Sequence, residues 1–158
     1  MSTATTLQTV STSSGATEKL AEQIGKRLRG REVIDLVSDL GGGKTTFVRG
    51  LARGMGSIDR VSSPSFTISR EYEVNSKIPS KLVHLDFYRL KEAGLMAHEL
   101  QDWLDDPRVV VVVEWGDIVA HVLPAKRLTI TIKVTGEDSR QLNFEYPKDL
   151  DYLTEGLC

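Results

Sequence analysis

Hydrophobic and polar positions follow two different periods along this 158-residue chain. Apolar residues recur at helical spacing within residues 20–28, 44–55 and 95–104, which predicts three amphipathic helices. Ser13 or Ser14 is the candidate N-cap of the first helix, and Gly30 is the candidate stop signal after it. Apolar segments of strand length separate these helices, so the pattern is typical of an α/β protein.

The segments between the helices carry the signals of strands. Residues 65–74 and 82–88 alternate between apolar and polar positions and are separated by a turn, and residues 128–134 and 142–146 read as a final hairpin. Residues 109–113 are all valine, which predicts a central parallel strand that is buried on both faces. The expected fold is a mixed β-sheet with a parallel core and antiparallel hairpins, flanked by helices.

Composition and charge exclude several classes of protein. The chain carries 20 basic and 22 acidic residues, and a formal net charge of −2 is unlike that of a basic nucleic-acid coat. The single cysteine excludes an intramolecular disulfide, and three scattered histidines argue against a histidine metal site. No apolar run approaches the ~20 residues of a membrane span. We expect a cytoplasmic protein with no membrane or DNA partner, folded as one domain over residues 1–158 with residues 1–9 and 148–158 loosely ordered.

A glycine-rich segment is the most informative part of the chain. Residues 33–46 read VIDLVSDLGGGKTT, which is an apolar strand, three consecutive glycines and the start of a helix. A phosphate-binding loop has this order, because its backbone N–H groups wrap around phosphate oxygens. Lys44 would reach the β- and γ-phosphates, and Thr45 would place its hydroxyl on Mg²⁺. Ser38 replaces the first glycine of the motif, which weakens nucleotide binding if this position needs a positive φ.

Two carboxylates follow strands of the predicted sheet. Glu114 comes directly after residues 109–113, and Asp86 follows the preceding strand. Ligands of open α/β sheets bind beyond the carboxyl ends of parallel strands, and a phosphate loop with Mg²⁺ needs a carboxylate nearby. Glu114 is the favoured metal-associated acid because its strand is buried on both faces, and Asp86 would orient the attacking water or hold a mobile loop. The sequence leaves open which of the two orients the water.

Four blocks of sequence, in this order and spacing, resemble the TsaE (YjeE) family of bacterial ATPases, which are needed for the threonylcarbamoyladenosine modification of tRNA. The blocks are SDLGGGKTTFVRG at residues 38–50, SPSFT at 63–67, HLDFYRL at 84–90 and VEW at 113–115. The resemblance covers about residues 13–146. It implies a compact P-loop NTPase fold around a mixed sheet.

The resemblance also implies the residues of a site for ATP and Mg²⁺. Thr45 and Glu114 would hold the metal, and the catalytic residues would be Lys44, Asp86 and Glu114. The implied nucleotide contacts come from the loop, the helix start and three more distant positions: Leu40, Gly41, Gly42, Gly43, Lys44, Thr45, Thr46, Ser14, Trp115 and Arg140. A switch-like segment is implied at Ser63, Ser65 and Thr67.

The partners that the resemblance implies are TsaD-like and TsaB-like subunits of the threonylcarbamoyl transferase, so that tRNA would be served indirectly. ATP hydrolysis would reset the transferase between rounds, and turnover by the chain alone would be slow. A small-molecule kinase is one alternative, although no long helical lid segment follows the loop. A non-hydrolysing, nucleotide-sensing adaptor is another, because Ser38 departs from the loop motif.

Overall fold

A computed structural model describes residues 4–38, 43–57, 61, 69–74, 79–87 and 94–157 of the chain. Its helices are α1 (Ser14–Arg27), α2 (Lys44–Gly54) and α3 (Gly94–Leu104), with short 3₁₀ helices at Gly116–Val119 and Lys148–Leu153. Its strands are β1 (Thr5–Ser11), β2 (Val33–Val37), β3 (Ser69–Glu73), β4 (Lys81–Asp86), β5 (Val109–Glu114), β6 (Leu128–Val134) and β7 (Arg140–Tyr146). None of the helices in these ranges is long and apolar enough to cross a membrane.

All the strands belong to one sheet in the order β1-β7-β6-β2-β5-β4-β3. Strand β2 lies between β5 and β6 and runs parallel to both, and β5 is also parallel to β4. The β1–β7–β6 ribbon and the β3–β4 pair at the margins are antiparallel. The predicted mixed sheet with a parallel core is therefore confirmed, and the structure adds that the final hairpin joins this core through β6.

Strand β5 is the centre of the sheet, as its run of valines predicts. Val110 and Val112 pack on the face covered by α1 and α2, whereas Val109, Val111 and Val113 pack on the face covered by α3. Each of these side chains is at most 4% exposed. Because β5 runs parallel to β2, its carboxyl end, with Glu114, lies at the edge where β2 ends.

Helices α1 and α2 pack with their backbones in close approach. A Cβ atom on Gly50 would lie 2.6 Å from the Cβ of Ala21, and one on Gly25 would lie 3.0 Å from the Cα of Gly54. Ser13 caps α1 by accepting a hydrogen bond from the amide of Ala16 at 3.0 Å, which confirms one of the two candidate caps. The close packing holds the start of α1 in place relative to α2.

Both ends of the chain are better packed than the sequence suggests. Strand β1 pairs with β7 along its whole length, and after β7 the tail turns back onto the core. Leu150 and Leu153 are at most 2% exposed, and the hydroxyl of Tyr152 donates to the carboxylate of Glu32 at 2.6 Å. The Ser- and Thr-rich start predicts a frayed or edge segment over about residues 1–9, and the polar tail predicts loose order over 148–158. Among the described residues, β1 pairs as an edge strand and regularly spaced leucines of the tail join the core.

Candidate phosphate-binding site

Three parallel strands end at one edge of the sheet and bring the candidate acids together. Leu36 near the end of β2 lies opposite Glu114 in β5, and Glu114 lies opposite Asp86 in β4. The amide of Phe87 continues this pairing by donating to the carbonyl of Glu114 at 3.0 Å. The structure thus places Asp86 and Glu114 side by side, next to the strand that leads into the glycine-rich segment.

The ammonium group of Lys44 is the buried cation of this edge. Lys44 is the first residue of α2 and is 7% exposed. Its Nζ donates to the carbonyl oxygen of Ser38 at 3.1 Å and lies 3.6 Å from Oε1 of Glu114. Because a buried charge needs a compensating partner, these contacts hold the ammonium at the start of the helix.

The start of α2 has no side-chain cap among the described residues. Gly43 occupies the N-cap with φ of 104°, a left-handed conformation that favours glycine, and it offers no side-chain cap to the helix. The first amides of a helix have no partner within the helix, and they carry the positive end of its dipole. Phosphate groups bind readily at such a helix start.

Ser38 is unstrained in this structure. Among the described residues other than glycine, positive φ values occur at Arg31 and Trp115 and not at Ser38. The weakening of nucleotide binding expected from Ser38 depended on a positive φ at this position. The backbone therefore gives no conformational reason for serine to be disfavoured there.

Glu114 is contacted at both carboxylate oxygens. Oε1 faces Lys44, and Oε2 forms a hydrogen bond with Nε2 of His84, whose side chain is fully buried. His84 was absent from the residues singled out by sequence. Its position two residues before Asp86 was the available signal, since alternate residues of a strand share a face.

Trp115 lies next to Lys44 in the candidate site. It follows β5 with φ of 57°, a left-handed conformation that is uncommon for a residue other than glycine. The Nζ of Lys44 lies 4.8 Å from the centroid of the indole ring, within range of a cation–π interaction. Backbone conformations of this kind cluster at functional sites, because surrounding contacts are needed to maintain them.

A small cleft of about 40 Å³ adjoins the start of α2. The start of α1 and the β6–β7 turn lie next to Gly43 around this cleft. The lining residues are Ser14, Thr17, Gly43, Thr46, Asp138 and Arg140. The β6–β7 turn holds the guanidinium of Arg140, which donates to the carbonyl of Ser139 at 2.8 Å. Two of the implied nucleotide contacts, Ser14 and Arg140, thus line one cleft, whereas its other lining residues Thr17 and Asp138 were not singled out.

The donor atoms at this edge fit a magnesium ion. Thr45, in the first turn of α2, supplies a hydroxyl, and Glu114 supplies carboxylate oxygens, which are hard ligands of the kind Mg²⁺ prefers. Within the described ranges, no group of three or more His, Cys, Asp or Glu side chains could hold a metal. Mg²⁺ is commonly bound through one or two carboxylates together with substrate phosphates, so this donor set suits it.

Several of the expected site residues lie outside the described ranges. They are the loop residues Leu40, Gly41 and Gly42 and the switch-like residues Ser63, Ser65 and Thr67. The site as described consequently consists of the end of β2, the start of α2, and the carboxyl ends of β4 and β5.

The mixed sheet with a parallel core and flanking helices is the architecture of a P-loop fold. The crystal structure of YdiB from Bacillus subtilis matches this fold with a TM-score of 0.75 and 30% sequence identity, covering 99% of this chain and 97% of that chain. A family profile described as "Threonylcarbamoyl adenosine biosynthesis protein TsaE" matches residues 11–142. The chain belongs to the TsaE family.

Individual relatives agree with this assignment. A tRNA threonylcarbamoyladenosine biosynthesis protein TsaE from Bacillus subtilis is 40% identical over 117 residues, which span 72% of this chain and 68% of the relative. The protein of the same name from Treponema pallidum is 32% identical over 143 residues, spanning 86% of this chain and 98% of that protein.

Proposed function

We propose that this chain is a Mg²⁺-dependent, ATP-binding and ATP-hydrolysing subunit that serves the threonylcarbamoyladenosine modification of tRNA. The observation that carries the proposal is the buried ammonium of Lys44, which lies at the start of α2 and 3.6 Å from the Glu114 carboxylate. A cation, helix-start amides that have no partner within the helix, and a carboxylate in this arrangement suit a triphosphate with its metal.

Each group of the site has a distinct role in this proposal. Lys44 and the first amides of α2 bind the β- and γ-phosphates, and Thr45 and Glu114 hold the metal. Bound Mg²⁺ would neutralise charge that develops on the phosphate oxygens. Ser14 and Arg140, which both line the cleft next to Gly43, contact the nucleoside end of ATP.

Asp86 is assigned the role of orienting the attacking water. A carboxylate offers about four lone-pair sites for its contacts. Because Glu114 already contacts Lys44 and His84, a metal contact would occupy much of its remaining capacity. Asp86 lies beside Glu114 in the sheet register and is only half-buried. Its carboxylate therefore lies at the same edge of the sheet as Glu114, on the neighbouring strand.

The names of the relatives support the pathway assigned to this chain. Proteins from Bacillus subtilis and Treponema pallidum with substantial identity are named for the biosynthesis of threonylcarbamoyladenosine in tRNA. The proposed partners are TsaD-like and TsaB-like transferase subunits, with tRNA served indirectly. Hydrolysis would reset the transferase between rounds.

A thermal-shift titration tests the nucleotide site. A ligand that binds only the folded state stabilises it by about 2.7 kcal/mol at 100 times its Kd. We expect Mg-ATP to raise the melting temperature of the wild type and to have no effect on Lys44→Ala. Equal stabilisation of both proteins would refute the assignment of Lys44.

An assay of ATP turnover separates the ATPase from its alternatives. Phosphate release that increases when the transferase subunits are added is the result expected of an ATPase subunit. Tight binding of ATP without release, alone or with the subunits, would favour a nucleotide-sensing adaptor. A phosphorylated metabolite formed from ATP would favour a kinase.

A further inference from the structure

The imidazole of His84 is a buried polar group that the proposed reaction does not use. It lies in β4 on the face formed with Leu82 and Val112, and its side chain is fully buried. Nε2 forms the hydrogen bond to Glu114, whereas Nδ1 is buried with no hydrogen-bond partner among the described residues. A buried polar atom without a partner costs free energy, so an aliphatic residue would fill this position at lower cost.

We propose that His84 is a positioning residue for the Glu114 carboxylate, an inference that rests on the proposed Mg-ATP site. A carboxylate accepts hydrogen bonds, so Nε2 of His84 is the donor to Oε2. The imidazole is held rigidly because it is fully buried on β4, a strand paired on both sides, with β5 and β3. By fixing Oε2, His84 turns Oε1 towards Lys44 and the start of α2.

The need for such a residue follows from the freedom of a glutamate side chain. The contact of Oε1 with Lys44, at 3.6 Å, is longer than a hydrogen bond and does not define the plane of the carboxylate. A second contact at Oε2 defines that plane. Partners that orient a metal-binding carboxylate commonly affect metal affinity or activity by about 10–100-fold.

His84 has no direct role in holding the phosphates in this proposal. Lys44 and the amides of α2 bind the phosphates. Among the described residues, His84 forms its hydrogen bond with Glu114 and not with these groups. Loss of the imidazole should therefore weaken the response to Mg²⁺ and leave magnesium-free nucleotide binding nearly unchanged. A residue that merely filled space would affect both equally.

Two substitutions separate positioning from packing. His84→Leu introduces an apolar side chain of similar bulk and removes the donor, whereas His84→Gln keeps an N–H donor that can reach Oε2. His98→Gln is the matched control, because His98 is an exposed histidine on α3. All variants carry Trp103→Phe, which leaves Trp115 beside Lys44 as the fluorescent reporter.

The experiment titrates ADP in EDTA and then Mg²⁺ at saturating ADP, with Trp115 fluorescence as the readout. For His84→Leu we expect the magnesium-free Kd to change by less than about 2-fold, and the half-saturating Mg²⁺ concentration to rise about 10–100-fold. The kcat for ATP should fall by a similar factor with a smaller change in KM. His84→Gln should restore part of the loss, and His98→Gln should match the parent.

Either of two results would overturn the proposal. In the first, His84→Leu keeps the parental response to Mg²⁺ and the parental kcat. In the second, it weakens magnesium-free ADP binding as much as it weakens the response to Mg²⁺, which would indicate a packing role. Failure of the proposed function itself would look different, because the parent protein would then neither bind ADP nor hydrolyse ATP.

Spectroscopy on the unmodified side chain decides the question if His84→Leu does not fold. In wild-type protein with ¹⁵N-labelled histidine, we expect the Nε2 resonance of His84 to shift when Mg²⁺ is added to the ADP complex. The exposed histidines His98 and His121 provide the internal reference. An Nε2 resonance that does not respond to Mg²⁺ would contradict the proposal.

Discussion

Lys44 and Glu114 form a buried ion pair between the first residue of α2 and the last residue of β5, with their charged atoms 3.6 Å apart. Their side chains are 8% and 5% exposed. The pair exists because β2, which leads to α2, lies next to β5 in the sheet. One contact therefore connects the candidate phosphate loop to the central strand.

Removing the acid of this pair should destabilise the protein. Glu114→Ala would leave the Lys44 ammonium buried without its carboxylate and His84 without its acceptor. Breaking one side of a buried pair typically costs about 3–5 kcal/mol, so the free energy of unfolding in urea should fall by that amount. Glu114→Gln, which keeps an acceptor oxygen, should lose less. Equal stability of Glu114→Ala and wild type would contradict the observed ion pair.

The crossing of α1 and α2 should be intolerant of added volume. A Cβ on Gly50 would lie 2.6 Å from the Cβ of Ala21 and would also meet the backbone of Glu18. Gly50→Ala should therefore lower the free energy of unfolding by about 1–3 kcal/mol. Gly15→Ala is the matched control, since its Cβ would lie 3.8 Å from Oγ of Ser13, an ordinary contact distance, and alanine favours a helix. Chemical denaturation of the two variants should thus give shifts of opposite sign.

Restoring the loop motif at Ser38 should bring no gain in nucleotide affinity. Ser38 lies outside the positive-φ residues of the described structure, and its carbonyl, which any residue would supply, accepts from Lys44. Ser38→Gly should leave the Kd for Mg-ATP unchanged and lower the free energy of unfolding by about 0.5–1 kcal/mol through added chain entropy. Calorimetric titration measures the first quantity. A clearly tighter Kd would show that nucleotide binding requires a different backbone conformation at this position.

The hydrogen bond between Tyr152 and Glu32 should contribute to holding the C-terminal segment. Glu32 is 5% exposed, and the Arg29 guanidinium lies 3.9 Å from the centroid of the Tyr152 ring. Tyr152→Phe keeps the ring and removes the hydroxyl, so we expect a loss of about 0.5–1.5 kcal/mol in urea unfolding. Tyr152→Ala should lose more. A tail that is loosely held in solution would instead make both variants as stable as the wild type.

The carboxyl of Asp35 should make stability depend on pH. Burial raises the pKa of Asp35 from its ordinary value of 3.8, the Arg127 guanidinium lowers it, and Asp117 adds a smaller increase. In the window between 3.8 and the raised value, the folded protein binds more protons than the unfolded chain. The Asp35 contribution to the free energy of unfolding therefore falls as the pH rises through this window.

Asp35→Asn removes this contribution. Between about pH 4 and about pH 7, the free energy of unfolding in urea should fall more with rising pH for the wild type than for the variant. Asp149→Asn is the control, because Asp149 is exposed. Identical pH profiles for wild type and Asp35→Asn would contradict the raised pKa.

Local signals in the sequence predicted most of the helices and strands and pointed to the main residues of the candidate site. Helical spacing predicted α2, five successive valines predicted β5, and glycine spacing next to a lysine pointed to Lys44. These features depend on residues close together in the chain, where periodicity and backbone freedom act directly. Glu114 and Asp86 were also accessible to this reasoning, because parallel strands end at a common edge.

Only the tertiary structure decided which distant residues meet at that edge. The hydrogen bond of His84 to Glu114, the cleft shared by Ser14 and Arg140, and the burial of the C-terminal leucines all depend on strand order and register. A periodic pattern says which face of an element is buried and not which other element covers it. Sheet order and helix packing make that choice, because they are set by the fit of the whole core rather than by any one segment.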